Sequence, residues 1–155
     1  MVLEQRDQFV VGPAQQTDIA AVTALDSRIT SLAKGPHWQE LFERASRPGQ
    51  AGQFFLVASA VGGRPQLLGF IVGEIRAWEF GSAPCGWVYA LSVDPDARQL
   101  GVGERLLEAI SERFRRAGVL KMRTMVAKDN PLPMLFFRAE GMMAGPYIQL
   151  EKDLR

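Results

Sequence analysis

The spacing of apolar residues changes along the chain between the two-residue repeat of a strand and the three- to four-residue repeat of a helix. A first strand is predicted over residues 8–12. Two helices follow, one beginning at Thr17-Asp18 and one near Pro36, because capping residues and proline favour helix starts. Three consecutive strands are then predicted from their β-branched and aromatic content, over residues 53–60, 66–80 and 87–93.

The second half of the chain alternates between helices and strands. Residues 101–117 show the clearest helical stripe, with a charged opposite face and Gly118 placed for a C-cap. A strand over 119–127, a short helix over 133–140 and a strand over 147–154 complete the pattern. The order β-α-α-β-β-β-α-β-α-β predicts an α/β fold, with a mixed sheet flanked by helices. The nearly all-apolar stretch 87–93 is typical of a strand covered on both faces.

Composition narrows the class of protein. The chain has 155 residues, of which 47% are hydrophobic, as expected of one folded domain spanning residues 1–155. A formal charge of +1 provides no strong field for nucleic acid or an anionic membrane, and no apolar run reaches the length of a membrane span. One cysteine and one histidine make a metal site unexpected. Because no secretory signal pattern is present, we expect a cytoplasmic protein.

Residues 88–103 carry the most informative pattern, a buried strand that leads through a short loop into a helix. Gly101 and Gly103 lack Cβ atoms, so a ligand can approach the backbone at the helix start, where free N–H groups favour phosphate. Leu106 stands where a dinucleotide fingerprint needs glycine, and Gly103-Glu104-Arg105 is not a P-loop. The pattern alone fits either a phosphate site or a tight structural turn.

Two segments resemble the signatures of the GCN5-related N-acetyltransferase (GNAT) superfamily. Residues 91–103 (LSVDPDARQLGVG) resemble the central signature, in which Arg98, Gly101 and Gly103 match. Residues 130–142 resemble a second signature at Asn130, but carry Phe137 where tyrosine is common. Pro133 and Met142 also depart from that second signature. The resemblance extends over residues 66–154 and implies the GNAT fold.

The resemblance further implies that the chain binds acetyl-CoA as a cosubstrate, without a metal. The pantetheine arm would pair with the main chain of one strand, the pyrophosphate would lie on the next helix start, and two downstream residues would contact the arm. The implied cofactor-binding residues are Leu91, Ser92, Val93, Arg98, Gln99, Leu100, Gly101, Val102, Gly103, Glu104, Asn130 and Phe137. The implied activity is direct acetyl transfer to a primary amine within a ternary complex. The alternative is a non-catalytic acyl-CoA-binding or sensing domain, and a homodimer is consistent with relatives.

Catalytic candidates follow from the chemistry of acetyl transfer to an amine. The ammonium must lose a proton, and Glu74 is the sole carboxylate in the apolar run 67–75, so it is the candidate base. Phe137 cannot donate a proton, which leaves the acid either absent or supplied by Tyr89 or Tyr147, the only tyrosines. Tyr89, two residues before Leu91, is expected on the same strand face. A packing or solvated role is the alternative for each.

The aromatic residues and the first helices bear on the acceptor site, which the sequence does not identify. Trp38, Trp78, Phe80 and Trp87 fit either the core or the lining of an acceptor pocket. Residues 17–50, from which relatives usually build the acceptor site, carry no legible motif.

Overall fold

The computed structural model of the protein describes residues 8–155, which form two compact units, residues up to 125 and residues 126–155. The first unit contains strands, α-helices and three short 3₁₀-helices. In chain order the strands and α-helices are β1 Phe9–Pro13, α1 Ile19–Thr30, α2 Gly35–Ser46, β2 Gln53–Ala60, β3 Leu67–Arg76, β4 Cys85–Val93, α3 Val102–Arg116 and β5 Met122–Thr124. The second unit contains α4, Pro131–Ala139.

The strands form one mixed sheet in the order β1-β2-β3-β4-β5. Neighbouring strands are antiparallel from β1 to β4, whereas β4 and β5 are parallel and joined through α3. Two parallel strands need such a crossover connection, since a tight turn reverses the direction of the chain and can join only antiparallel strands. The predicted mixed α/β sheet with flanking helices is therefore confirmed.

Each face of the sheet is covered by helices of the first unit. On one face, α1 and α2 bury Val22, Leu25 and Trp38 against Phe70 and Val72 of β3. On the other face, glycines in the sheet allow α3 to pack closely. A Cβ at Gly73 would lie 2.8 Å from Cδ1 of Ile110, and one at Gly86 would lie 2.4 Å from Cδ2 of Phe114. The charged face predicted for the helix 101–117 is thus opposite a tightly packed apolar stripe.

Three predicted strands differ from the structure. The strand predicted over 66–80 ends at Arg76, because Trp78 (φ 61°) and Phe80 (φ 52°) adopt left-handed conformations that no strand permits. The strand predicted over 119–127 is limited to Met122–Thr124. Within residues 140–155 no strand forms where 147–154 was predicted, since no backbone partner pairs with this segment in residues 8–155.

The remaining predicted elements agree with the structure to within a few residues. Pro36 lies in the first turn of α2, where its missing N–H costs nothing. Gly118 (φ 81°) ends α3 through main-chain bonds from Gly118 N to Arg115 O and from Val119 N to Phe114 O. Among the helices of residues 8–155, none is long and apolar enough to cross a membrane.

Candidate active site

Strand β4 separates from its parallel neighbour halfway along its length. The β4–β5 pairing runs only from Gly86↔Met122 to Val88↔Thr124. The hydroxyl of Thr124 donates to the carbonyl oxygen of Val88 at 2.8 Å, at the point where pairing stops. In the described part of the chain, no strand pairs with this side of β4 beyond Val88. The backbone from Tyr89 to Val93, which includes Leu91 and Ser92, therefore has no strand partner on this side within residues 8–155.

A β-bulge lies where β4 leaves β5. Val72 pairs with Ala90 and Gly73 pairs with Val88, so Tyr89 is an extra residue with no partner in β3. A bulge shifts the in–out alternation by one residue. Ala90 accordingly packs on the α1–α2 core.

The side chains of Tyr89 and Leu91 lie on opposite faces of the sheet, and the prediction that they share a face is wrong. Leu91 pairs with Ile71, and Ile71 lies on the same face of β3 as the glycines that contact α3. The charges that act on the Tyr89 phenol come from Glu74 and from Arg44 of α2, and both of these residues belong to the α1–α2 side of the sheet. Register shifts of this kind carry no sequence signal.

The open edge of β4 leads directly into the glycine-bearing loop. A 3₁₀-helix, Pro95–Leu100, is followed by Gly101 in the left-handed conformation (φ 76°, ψ 22°), and α3 begins at Val102. The first N–H groups of an α-helix have no intrahelical acceptor, so those of Val102, Gly103 and Glu104 are available at this point. Arg98 and Gln99 are exposed beside them, and Leu100 is half-buried.

A buried carboxylate anchors the start of this loop. Asp94 is only 5% exposed, and its Oδ1 accepts a hydrogen bond from the N–H of Asp96 at 2.9 Å. Its Oδ2 lies 3.4 Å from Nη1 of Arg28 at the end of α1. Asp94 was not among the predicted site residues, although an aspartate followed by Pro95 is a recognisable helix-start signal.

Glu74 lies on the α1–α2 face, opposite Trp87 and Gln53 in the sheet register. Nε2 of Gln53 donates to Oε2 of Glu74 at 2.7 Å. Oε1 of Glu74 lies 3.9 Å from Nε of Arg76, which is beyond hydrogen-bond distance. The carboxylate is thus oriented through one oxygen, while its other oxygen retains accepting capacity. Nothing in the sequence indicated Gln53 as its partner.

Partial burial changes the acidity of Tyr89. Desolvation, with a contribution from the negative charge of Glu74, raises the pKa of the Tyr89 phenol from 10.0 to about 12, against an opposing effect of Arg44. The side chain is nevertheless 42% exposed, so the hydroxyl can reach solvent or a ligand. Glu74 and Tyr89, two of the three predicted catalytic residues, therefore interact electrostatically.

The remaining predicted residues belong to the second unit. Asn130 is exposed and precedes α4, and its side chain makes no capping bond. Phe137 is buried in α4, edge-on to Phe136 with ring centroids 5.2 Å apart. Tyr147 is half-exposed and follows α4.

The four predicted pocket aromatics do not form one set. Trp38 is buried in the core between α2 and the sheet. Trp87 lies under the guanidinium of Arg76, 4.9 Å from the ring centroid. Trp78 and Phe80 are exposed in the β3–β4 connection. Of these four aromatic residues, only Trp87 therefore lies beside Glu74.

Comparisons with known proteins identify the family and the fold. The model of a family described as the Acetyltransferase (GNAT) family matches residues 20–140, more than half of the chain. The structure of aminoglycoside N-acetyltransferase AAC(6')-Iy in complex with CoA is similar, at 17% identity and a TM-score of 0.79, over 95% of this chain and 95% of that chain.

Two further solved structures are similar over nearly their whole length. Aminoglycoside 6'-N-acetyltransferase AAC(6')-Ih from Acinetobacter baumannii is 16% identical, with a TM-score of 0.77 over 95% of this chain and 99% of that chain. An aminoglycoside acetyltransferase from an uncultured soil metagenomic sample, in complex with sisomicin, is 15% identical, with a TM-score of 0.73 over 97% and 99%. At these identities the likeness shows a shared fold.

Proposed function

The chain belongs to the acetyltransferase (GNAT) family, and we propose that it transfers an acetyl group from acetyl-CoA to a primary amine. One observation carries the proposal. The unpaired edge of β4 ends at Val93 and is followed, through the 3₁₀-helix Pro95–Leu100 and Gly101, by the N-terminus of α3, so that unpaired strand backbone and an anion-binding helix start belong to one short stretch of chain. A ligand with a peptide-like arm attached to a pyrophosphate fits this arrangement.

The backbone of Leu91–Val93 would hold the amide-bearing pantetheine arm, as a strand pairs with its neighbour. The pyrophosphate would lie on the main-chain N–H groups that follow Gly101. A 3₁₀-helix uses its N–H groups internally, so the first turn of α3 supplies better donors than Gln99 or Leu100. Glu104 would contribute only its main chain, since its carboxylate repels phosphate, and Arg98 would supply the nearby positive charge.

Glu74 is the base in this proposal. Acetyl-CoA, when bound, supplies the thioester whose acetyl group passes to the amine nitrogen. Glu74 Oε1 would receive the ammonium proton directly or through one water, while the bond from Gln53 to Oε2 keeps the carboxylate oriented. The acceptor would approach from the α1–α2 face, on which Glu74, Trp87 and the Tyr89 hydroxyl are exposed to different degrees.

Tyr89 would act as a hydrogen-bond donor rather than as a proton source. With a pKa of about 12 the phenol is protonated at neutral pH. A thiol has a pKa near about 8.5, so complete proton transfer from Tyr89 to the leaving thiolate is uphill by several units. A hydrogen bond still stabilises the developing charge, and solvent supplies the proton afterwards. Because Tyr89 donates the hydrogen bond and solvent supplies the proton, this proposal needs no tyrosine at position 137, where the chain has Phe137.

Direct transfer within a ternary complex is favoured over a covalent intermediate. Cys85, the only cysteine, is buried, and its Sγ lies 3.3 Å from Nη1 of Arg123 on β5. No nucleophile motif surrounds it. The similar structures bound to CoA and to sisomicin support a CoA ligand and an amine acceptor. A non-catalytic CoA sensor is the second candidate, because Phe137 removes the usual acid.

Calorimetry and a thiol-release assay test the proposal. We expect acetyl-CoA to bind the protein, and CoA thiol to appear only when an accepting amine from a diverse panel is added. The panel should include aminoglycosides, polyamines, amino acids and peptides with free N-termini. Binding without thiol release across the panel would favour the sensor. Absence of acetyl-CoA binding by the folded protein would reject both candidates.

A further inference from the structure

The guanidinium of Arg76 lies beside the proposed base, at the end of β3. Arg76 and Glu74 are two residues apart on one strand, so their side chains share the α1–α2 face of the sheet. Nε of Arg76 lies 3.9 Å from Oε1 of Glu74, the carboxylate oxygen that does not bond to Gln53. A positive group is therefore fixed next to the point at which the acceptor amine is proposed to lose its proton.

Two contacts hold this guanidinium in place. Its Cζ lies 4.9 Å from the centroid of the Trp87 ring, and its Nε donates to Oε1 of Glu79 at 3.2 Å. A guanidinium has five N–H groups in a rigid planar fork. Within residues 8–155 the bond from Nε to Glu79 is the only hydrogen bond that Arg76 donates, and the side chain is 38% exposed. The N–H groups on Nη1 and Nη2 are thus oriented by the protein and remain able to donate to a ligand.

A carboxylate is the group that this fork fits. Two N–H groups on the two Nη atoms match the two oxygens of a carboxylate, which gives a bidentate pair. A phosphate monoester has similar oxygens but carries up to two negative charges. Glu74 and Glu79 already place two carboxylates beside Arg76, so a singly charged ligand is repelled less than a doubly charged one.

We infer that the acceptor is an α-amino acid, with its amine at Glu74 and its carboxylate on Arg76; this inference rests on the proposed acetyl transfer. One carbon separates the amine and the carboxylate of such a molecule, which suits two protein groups as close as these. Glu79 offsets part of the charge of Arg76, but an ammonium at Glu74 is still next to a guanidinium. A carboxylate on the same acceptor offsets the remaining repulsion.

The reaction then yields an N-acetyl amino acid and CoA. The ammonium proton passes to Glu74, the amine nitrogen forms a bond to the acetyl carbon, and the C–S bond of the thioester breaks. CoA leaves as a thiolate, which solvent protonates. The acceptor carboxylate stays on Arg76 throughout, so its binding contributes equally to the bound acceptor and to the transition state. Loss of this contact should therefore appear mainly in KM.

Matched acceptors test the inference. Thiol release is measured with L-amino acids, with the carboxamide of each, and with sisomicin, which has amines but no carboxylate. For an accepted amino acid we expect kcat/KM to be at least about tenfold higher than for its carboxamide, as for a hydrogen bond between charged groups. The amine of the carboxamide is the less basic of the two, so proton removal alone would favour the opposite order.

Variants of Arg76 assign the preference to this residue. Arg76→Gln should raise KM for the amino acid at least about tenfold without lowering kcat/KM for the carboxamide, so that the preference disappears. Arg76→Lys keeps the charge but not the fork, and should retain only part of the preference. The matched control is Arg116→Gln, which should keep the full preference. Nε of Arg116 also bonds to a glutamate, Oε1 of Glu112 at 3.3 Å, but on the exposed face of α3.

Acetyl-CoA titration and urea unfolding show whether each variant is folded, and the acceptor pairs in the parent protein decide even if one variant is not. Equal kcat/KM for amino acids and their carboxamides, or a preference for sisomicin, would overturn the inference. So would equal losses for both members of a pair in folded Arg76→Gln, because Arg76 would then act on the site and not on the carboxylate. In these cases thiol release continues and acetyl transfer stands, whereas no thiol release with any acceptor would refute both.

Discussion

Replacement of Gly103 by aspartate separates phosphate binding from fold stability, because the two respond with opposite sign. Gly103 is the second residue of α3 and, unlike Gly101, does not adopt the left-handed conformation. A side chain is therefore compatible with its backbone. Glycine costs a helix about 0.5–1 kcal/mol relative to alanine, and a carboxylate in the first turn gains about 0.3–1 kcal/mol from the helix dipole. We expect Gly103→Asp to fold at least as stably as the parent.

The affinity should change in the opposite direction. A phosphate held by the first-turn N–H groups would lie about 5 Å from the new carboxylate, where two like charges repel by about 0.8–3.3 kcal/mol for an effective dielectric between water and a protein surface. The pyrophosphate carries more than one charge, so the Kd for acetyl-CoA should rise more than about tenfold, or about 1.4 kcal/mol. The assays are isothermal titration and denaturant unfolding of the same preparations.

Gly103→Asn is the matched control, since asparagine has the size of aspartate without its charge. It should lose much less affinity than Gly103→Asp. Equal losses in the two variants would attribute the effect to bulk instead of charge. An unchanged Kd in a folded Gly103→Asp protein would refute the assignment of the pyrophosphate to this helix start.

Three further predictions concern Asp94, which precedes the proposed pyrophosphate site at the start of α3, and Glu74 and Tyr89 on the α1–α2 face. Asp94→Ala should destabilise the fold by about 1–3 kcal/mol and weaken acetyl-CoA binding, because the Asp96 N–H loses its acceptor. Asp94→Asn should recover much of the stability and of the affinity. Equal stability by urea unfolding and equal affinity by titration in the two variants would exclude a capping role for Asp94. Glu74→Gln should lower turnover, most at low pH, while Glu108→Gln on the exposed face of α3 should not; superimposable pH–rate profiles for Glu74→Gln and the parent would clear Glu74 as base. Tyr89→Phe should lower turnover about tenfold, which is the loss expected for one hydrogen bond to a charged group. In an alkaline absorbance titration, the difference between the parent and Tyr89→Phe reports the Tyr89 phenol, and this difference should develop near pH 12 rather than 10.

The raised pKa of Tyr89 also predicts the sign of a stability effect. The folded state holds the proton to about pH 12, whereas the unfolded chain releases it near 10.0. The contribution of this group to stability is therefore complete below pH 10 and is lost as the pH rises towards 12. Partial exposure of the side chain reduces its size. Alkaline unfolding at lower pH in the parent than in Tyr89→Phe is the expected observation.

The sequence by itself determined the class of fold and the strand–loop–helix segment in which the pyrophosphate site is proposed. Both depend on residues close together in the chain, namely the apolar repeats of each element and the strand–loop–helix pattern of residues 88–103. Local backbone preferences are sufficient for such features, as the agreement at Pro36, Gly101 and Gly118 illustrates. The predictions were wrong where an element depended on a distant partner, since residues 147–154 alternate like a strand but join no sheet in the described residues 8–155.

Only the tertiary structure decided which groups meet. The bulge opposite Val72 and Gly73 turned Tyr89 towards the α1–α2 face, where Arg44 and Glu74 act on it. The contact between Arg28 and Asp94 joins residues 66 positions apart, and that between Gln53 and Glu74 joins residues 21 apart. Such pairs are set by sheet register and helix packing, and a one-residue shift in register moves every side chain of a strand to the other face. For that reason the sequence was sufficient to propose the residues of the site, while the contacts between them were visible only in the structure.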